Sequence, residues 1–494
     1  MSLRMWLVTC IALLPAGASL AAARPSTEKP SATAPRIEVE AGNVESQGKN
    51  GSTLVTSETL LGRLDVGLGI YSAAASPDSR HTVCIHRVGG RFVVFVDDRQ
   101  SKPYDAMPAF SVFSPDSKRV AFAAGRGDSQ FMVVDGAEGK EYESVSAPVW
   151  STDSRRIAYA AKIIGRGPLM GERWVAVVDG AETAAYDAAG DIVFSPDSKR
   201  VAFAARRRDK WFAVVDNAEG KGYDRVRGLV FSPDSKHFAY VAKRGDRALV
   251  VVDGTESGEY DWDDGPRYTD DAPRWSGDGR HFACVAMRGR RHFVVADGVE
   301  GKPYDRAHPP VWSADGARMG YAAESGGKGF AVVDGAEGPR FNYVYGITFS
   351  PDGKRVAYGA NRGGREFMVI DGVEGKPYEE VPRGGRFFAW SDDSKRTAYI
   401  ARRGAKTFVV VDGVEGPEYD GVWPLGKAFS PDGAHVAYAA KLESEWFVVF
   451  DGIESGRYKH ILGNIIFDGP RTVHTAALRD KDFLVVSLSL EERR

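Results

Sequence analysis

Between Asp97 and Asp451 the chain ten times writes a run of apolar residues that stops at Asp, usually followed by Gly. Each run lies in step with a Ser-x-Asp turn upstream of it, beginning at Ser76, Ser114, Ser151, Ser195, Ser232, Ser276, Ser313, Ser350, Ser391 and Ser430. A worn eleventh copy surrounds Asp468-Gly469, and successive starts lie 37 to 44 residues apart. A period of roughly 40 residues signals an array of one small unit. Gly or Pro every few positions and the lack of any long 3.6-residue pattern exclude stacked helices.

One clean copy spans residues 345–380. Residues 345–349 (YGITF) are a short apolar run, and Ser350-Pro351-Asp352-Gly353 follows with the signature of a type I turn. Residues 355–360 alternate Val356 and Tyr358 with small residues, a Gly/Arg turn follows at 361–365, and 367–370 (FMVI) runs into Asp371-Gly372. Asp-Gly between apolar runs is a strong hairpin signal, and residues 375–379 (GKPYE) are expected to supply a fourth, outer strand. Four short antiparallel strands per repeat make a propeller blade.

Two aromatic columns hold such blades together. One residue precedes the Ser (Phe113, Trp150, Phe194, Phe231, Trp275, Trp312, Phe349, Trp390, Phe429), and a second stands eight residues after it (Phe122, Tyr159, Phe203, Tyr240, Tyr321, Tyr358, Tyr399, Tyr438). Burying each contributes about 1.5–3 kcal/mol, whereas ordering the backbone costs about 1–2 kcal/mol per residue. A lone blade is therefore unstable and must stack on its neighbours. Residues 62–65 (GRLD) match an outer strand and residues 464–487 supply three inner ones, so the two ends are expected to complete one blade.

The fold class predicted is all-β, a β-propeller of about eleven four-stranded blades. Eleven exceeds the usual four to eight, which favours two rings of five and six over the alternative of one large ring. The longest linker (260–273, YDWDDGPRYTDDAP) divides them, giving a first propeller at 53–254 and a second at 255–488. The sequence Ser-Pro-Asp-Gly-Lys-Arg-Val-Ala-Tyr at 350–358, with near copies at 114–122, 195–203 and 430–438, resembles the WD-like propeller repeats of the TolB type. That resemblance covers about residues 62–487 and implies an exported propeller working by protein contact, often within an envelope assembly. The Asp-Gly-Val-Glu-Gly-Lys-Pro-Tyr hairpin at 371–378 is a variant of this chain's own.

Residues 1–23 read as a secretory signal, with Arg4 ahead of an apolar stretch from Met5 to Leu14 and an A-x-A site at Ala21-Ala22-Ala23. The apolar run is shorter than the roughly 18 residues of a membrane span and is broken by Pro15 and Gly17. A periplasmic or secreted product, without membrane insertion after signal removal, is expected. Residues 24–52 are rich in Pro, Ser, Thr, Ala and Glu, a composition that reads as a disordered leader. With 65 basic against 67 acidic residues, no overall field draws the molecule to nucleic acid.

Candidate chemistry is sparse. Cys84 and Cys284 occupy the second aromatic column and read as buried free thiols. His81, His237, His281 and His435 stand five residues after their Ser, where other blades carry Arg, so they form no cluster. The inner strands read GIYSAAA, AFSVF, DIVF, GLVF, GITF, FFAW and NIIF, with Arg274 and Lys427 among few charged exceptions. No nucleophile elbow, zinc-binding helix or phosphate loop occurs, and Ser and Asp recurring in every blade fit a turn better than one active site. Asp261, Asp263, Asp264, Asp270 and Asp271 crowd the long linker in a spacing that matches no calcium loop. No catalytic residue, metal or cofactor is assigned.

The hairpins linking second and third strands are basic: 206–210 (RRRDK), 243–247 (KRGDR), 288–292 (RGRRH), 362–366 (RGGRE) and 402–406 (RRGAK). Such tips share one face of a propeller, and the carboxylate-rich turns lie on the other. Arg206, Arg207, Arg208, Arg244, Arg288, Arg290, Arg291, Arg362, Arg402 and Arg403 are the candidate binding residues, offering guanidinium forks to an acidic protein or an anionic envelope polysaccharide. The function expected is a monomeric, non-catalytic interaction scaffold. The alternative is a carbohydrate-active propeller, either a polysaccharide lyase or a glycan-binding protein.

Overall fold

In the Ser350 blade, Tyr343–Phe349 pairs with Val356–Arg362, that strand with Arg365–Ile370, and the third with Val373–Glu374, all antiparallel. The computed structural model describes residues 44–47, 52–63, 69–163, 172–261, 273–383, 387–423 and 425–492. Among them no helix occurs, and the strands sort into eleven sheets of this plan. The fold is all-β, a β-propeller of eleven four-stranded blades. The outer strand comes earlier than residues 375–379: Asp371 and Gly372 both take left-handed φ (50° and 81°), so the chain reverses at once and pairs at Val373. Tyr378 then returns to bridge Glu366.

Two compact units compose the chain, Met1–Asp105 with Ser444–Arg494, and Ala106–Glu443. In the first, Ser52–Arg63 pairs with Asp482–Glu492, so the two ends of the chain share a sheet as the repeat phase requires. That strand is longer than residues 62–65 suggested, and Glu58 on it accepts a hydrogen bond from the Tyr458 hydroxyl at 2.6 Å and pairs with Arg479. Val44–Gln47, within the stretch whose composition reads as a leader, adds to its open edge. The signal segment lies outside the described residues.

Within the second unit, side chains alternate between small and large across facing sheets. Phe341, Tyr358 and Phe367 are buried in one cluster with Ala322 and Ala331 of the preceding blade. Alanines on one sheet let the aromatics of the next sink against it, which the sequence columns foreshadow. The expected division at 254/255 falls inside this unit, and Val250 and Tyr260 pack there with Cys284, Ala286 and Phe293. First strands of successive blades touch, Ala188–Phe194 with Arg225–Phe231 and Val311–Trp312 with Tyr343–Phe349 among them. These strands form the inner wall.

Polar residues of the repeat brace one blade to the next. Ser350 Oγ donates to Asp352 Oδ1 (2.6 Å) and accepts from the Arg355 N–H (3.0 Å), while the Asp352 N–H donates to Ser394 Oγ of the following blade (2.9 Å). Arg355 donates through Nε to Asp371 (2.8 Å) and through Nη1 to the carbonyls of Ser394 and Lys395 (3.0 and 2.7 Å), with its guanidinium 4.8 Å over the Trp390 ring. Arg119, Arg156, Arg318 and Arg396 repeat this bracket, each lying over the aromatic residue of the next blade. His237 and His281 take the same place, paired to Asp253 and Asp297 (2.6 and 2.7 Å) and stacked on Trp275 and Trp312. His237 and His281 are thus bracket residues, as their place in the repeat, where other blades carry Arg, requires.

Two outcomes follow from the bracing. Arg355→Ala should lower stability by about 2–3 kcal/mol, the worth of a charge-assisted hydrogen-bond set, whereas Arg355→His should cost less, since His237 already does the work in its blade; denaturant unfolding measures both. Acid should also unfold the protein along a set course. Asp234, Asp393 and Glu256 are held down to about 2 by hydroxyl donation, backbone N–H groups and neighbouring cations. Their unfolded values lie near 4, so their contribution is complete above about pH 4.5 and is lost as pH falls toward about 2. Stability that stays flat between pH 5 and about 2.5 would contradict the bracing account.

Candidate functional site

The ten arginines of the basic hairpins stand where the repeat places them, and most meet a carboxylate. Arg207, Arg244, Arg288, Arg362 and Arg403 pair with Glu219, Glu256, Glu300, Glu374 and Glu415 at 2.7, 2.5, 2.8, 2.7 and 2.9 Å. In every case the partner is the Glu of the same blade's Asp-Gly-x-Glu-Gly hairpin or its variant, twelve residues downstream. Arg291 pairs with Asp305 and Arg402 with Glu380, both at 2.6 Å. Carboxylates that the sequence assigned to the opposite face therefore reach back and neutralise the forks. Among the described residues, Arg206, Arg208 and Arg290 have no carboxylate at ion-pair distance.

Those glutamates also bind the preceding blade. Glu256 receives the Tyr223 hydroxyl (2.8 Å) and the Lys221 ammonium (2.7 Å) besides Arg244, and this concentration of donors keeps it ionised. The Lys-Pro-Tyr or related segment of one blade thus docks on the glutamate of the next. The Asp after that Tyr does the same at the hairpin tips: Asp224 takes the Lys210 ammonium (2.6 Å) and the Gly245 N–H of the following blade (2.7 Å). Asp261 of the acidic linker pairs likewise with Arg247. Residues 262–272, including Asp263, Asp264, Asp270 and Asp271, lie outside the described residues.

What remains after this accounting sits on the first strands, in the half nearest the basic hairpins. There the Ser350 blade presents Tyr343 and Tyr345, whose hydroxyls both donate to Glu366, the latter at 3.0 Å. Glu366 is 6% exposed, accepts the Val381 N–H at 2.9 Å, and has Arg383 at 3.7 Å. Arg383 lies 4.7 and 5.1 Å over the two tyrosine rings. Burial and the Glu366 charge push the Tyr345 phenol upward. Next to this group, His308 approaches Glu324 at 3.4 Å and burial lowers its basicity.

Sequence reasoning missed these residues because it read only the last few positions of each inner strand. The strands run longer, Arg225–Phe231 and Tyr343–Phe349 for example, and their polar residues stand at the front. The available signal was that Arg225, Arg306, Tyr343 and Glu380 fill one repeat position with three different chemistries. Repeat positions used for bracing do not vary so. A pocket of about 60 Å³ opens beside Ala248, lined also by Arg227, Tyr260, Cys284 and His292; in three other blades that position holds Trp174, Trp211 and Trp446. Cys84 and Cys284 are both buried and unbridged, as expected.

No family model matches the sequence, and no curated protein matches it. The likeness to solved structures is distant. A eukaryotic initiation factor is 11% identical with a TM-score of 0.39, covering 70% of this chain and 96% of its own. TolB from Acinetobacter baumannii is 12% identical with a TM-score of 0.25, covering 52% and 78%. The dihydro-heme d1 dehydrogenase NirN is 14% identical with a TM-score of 0.32, covering 62% and 72%.

Gln130 stands where Glu366 does and accepts the Val145 N–H at 3.1 Å, as Glu366 accepts that of Val381. The acceptor is therefore structural and the negative charge is peculiar to the Ser350 blade. Glu366→Gln should cost under about 1 kcal/mol, while Glu366→Ala, which orphans the Tyr343 hydroxyl and the Val381 N–H and leaves the Tyr345 hydroxyl only the Val381 carbonyl, should cost about 2–4 kcal/mol. Equal losses in thermal unfolding would contradict this division.

Proposed function

We propose that the protein is an exported interaction scaffold without catalytic activity, active in the periplasm or outside the cell, that binds another protein or an anionic envelope polysaccharide. One observation carries this reading. The Ser, Asp and Arg that recur in every blade, together with the His that replace some of those Arg, are consumed in bracing: each Ser Oγ donates to the Asp two residues on, as Ser195 does to Asp197 at 2.6 Å. That hydroxyl and the Lys199 N–H hold the Asp197 carboxyl below its usual range, which leaves it a weak base for activating the serine. What varies from blade to blade is left for recognition, and β-propellers present such variable residues on a rigid frame. Arg206, Arg208 and Arg290, exposed on the hairpin tips, supply rim charge to such a partner.

The carbohydrate-active alternative keeps one supporting observation, the Arg383–Tyr343–Tyr345–Glu366 group, which joins a cation, rings and a buried carboxylate. Affinity purification of the tagged mature protein from its own envelope fraction, beside a polysaccharide-degradation screen, separates the two. The scaffold reading expects a stoichiometric complex, no released saccharide, and a mature terminus near Arg24 by mass spectrometry. Saccharide release that disappears in Glu366→Gln would replace it with the enzyme reading.

A further inference from the structure

The fronts and bulges of the inner strands carry charge of mainly one sign. Arg225 is exposed and Arg227 half-buried on the Ser232 blade, Arg306 is half-buried on the Ser313 blade, and Arg383 and Lys427 are exposed further on. Against them stand Asp191, Glu324 at His308, Glu380 held by Arg402, and the buried Glu366. Because first strands touch from blade to blade, these cations form a fan along the inner wall. We propose that this fan binds an acidic polysaccharide whose sugars carry carboxylates, a proposal that rests on the scaffold reading above.

Three features fit that ligand. Guanidinium forks match carboxylates two bonds at a time, and cations spread over four blades suit a ligand with charge repeated along its length better than a single anion. Beside the forks lie neutral groups suited to hydroxyls. The ladder of the Ser232 blade breaks between Arg227 and Val230, and that of the Ser350 blade between Tyr345 and Thr348, so the bulged backbone is freed from pairing. Gly346 sits in the second bulge with φ +62° and open space where a Cβ would be, a place where a ligand can approach the main chain. Single-stranded nucleic acid fits less well, since base stacking needs free rings and Tyr343 and Tyr345 are already engaged by Arg383 and Glu366.

The probes are galacturonate oligomers and alginate oligomers, titrated calorimetrically into the full mature chain at low and high salt. Binding that weakens with salt is expected, with a loss of about tenfold or more in Arg225→Glu/Arg383→Gln and less than about twofold in Lys354→Glu, whose side chain is exposed on a Ser-x-Asp turn. Gly346→Asp guards against misfolding, because Asp191 already occupies the matching bulge position with φ 52°; it should fold and bind severalfold more weakly. Absence of binding by wild type, equal binding of methyl-esterified oligomers, or an equal loss in Lys354→Glu would each overturn the proposal. Tighter binding of poly-glutamate or single-stranded DNA, lost in the same variants, would replace the polysaccharide with that polymer. Release of unsaturated uronates would sink the non-catalytic reading and leave the binding site standing, whereas envelope capture without uronate binding would do the reverse.

Discussion

The pairing of a buried-edge carboxylate with a donor from the neighbouring blade is the interaction on which the structure depends. A four-stranded sheet of about 40 residues cannot offset its ordering entropy alone. Aromatic stacking supplies the bulk of the attraction but sets no register. Directional contacts do that: Arg355 reaches Asp371 in its own blade and the carbonyls of Ser394 and Lys395 in the next, while Tyr223 and Lys221 reach Glu256. Each contact needs both blades in place.

This economy decides where function can reside. Residues that recur are occupied, so the repeated Ser, Asp and His that tempt a catalytic reading are turn and bracket atoms. The basic hairpins lose most of their charge to the glutamates twelve residues on. Recognition falls to positions where the repeat lapses, and these concentrate at the fronts of inner strands, where the side chain changes from blade to blade. Glu366 shows the passage from one role to the other: its oxygen keeps the N–H bond that Gln130 makes, and its charge gathers Tyr343, Tyr345 and Arg383.

Much of this was legible in the chain. The blade, its turns and both aromatic columns follow from local chemistry, because Ser-x-Asp and Asp-Gly set backbone angles within four residues. The shared sheet of the two ends followed from the phase of the repeat, although residues 62–65 understated a strand that runs Ser52–Arg63. The outer strand was placed at 375–379 when Val373–Glu374 forms it, since a left-handed Asp-Gly pair closes the hairpin in two residues.

By itself, then, the sequence determined which backbone each segment adopts and which faces are apolar, properties that depend on near neighbours. Tertiary structure alone decided which charges cancel. Arg244 and Glu256 lie twelve residues apart along the chain and Tyr223 another twenty-one upstream, and only the stacking of two sheets brings three such groups onto one carboxylate. A Coulomb interaction depends on distance in space, and no pattern of residues reports that distance until the blades are packed.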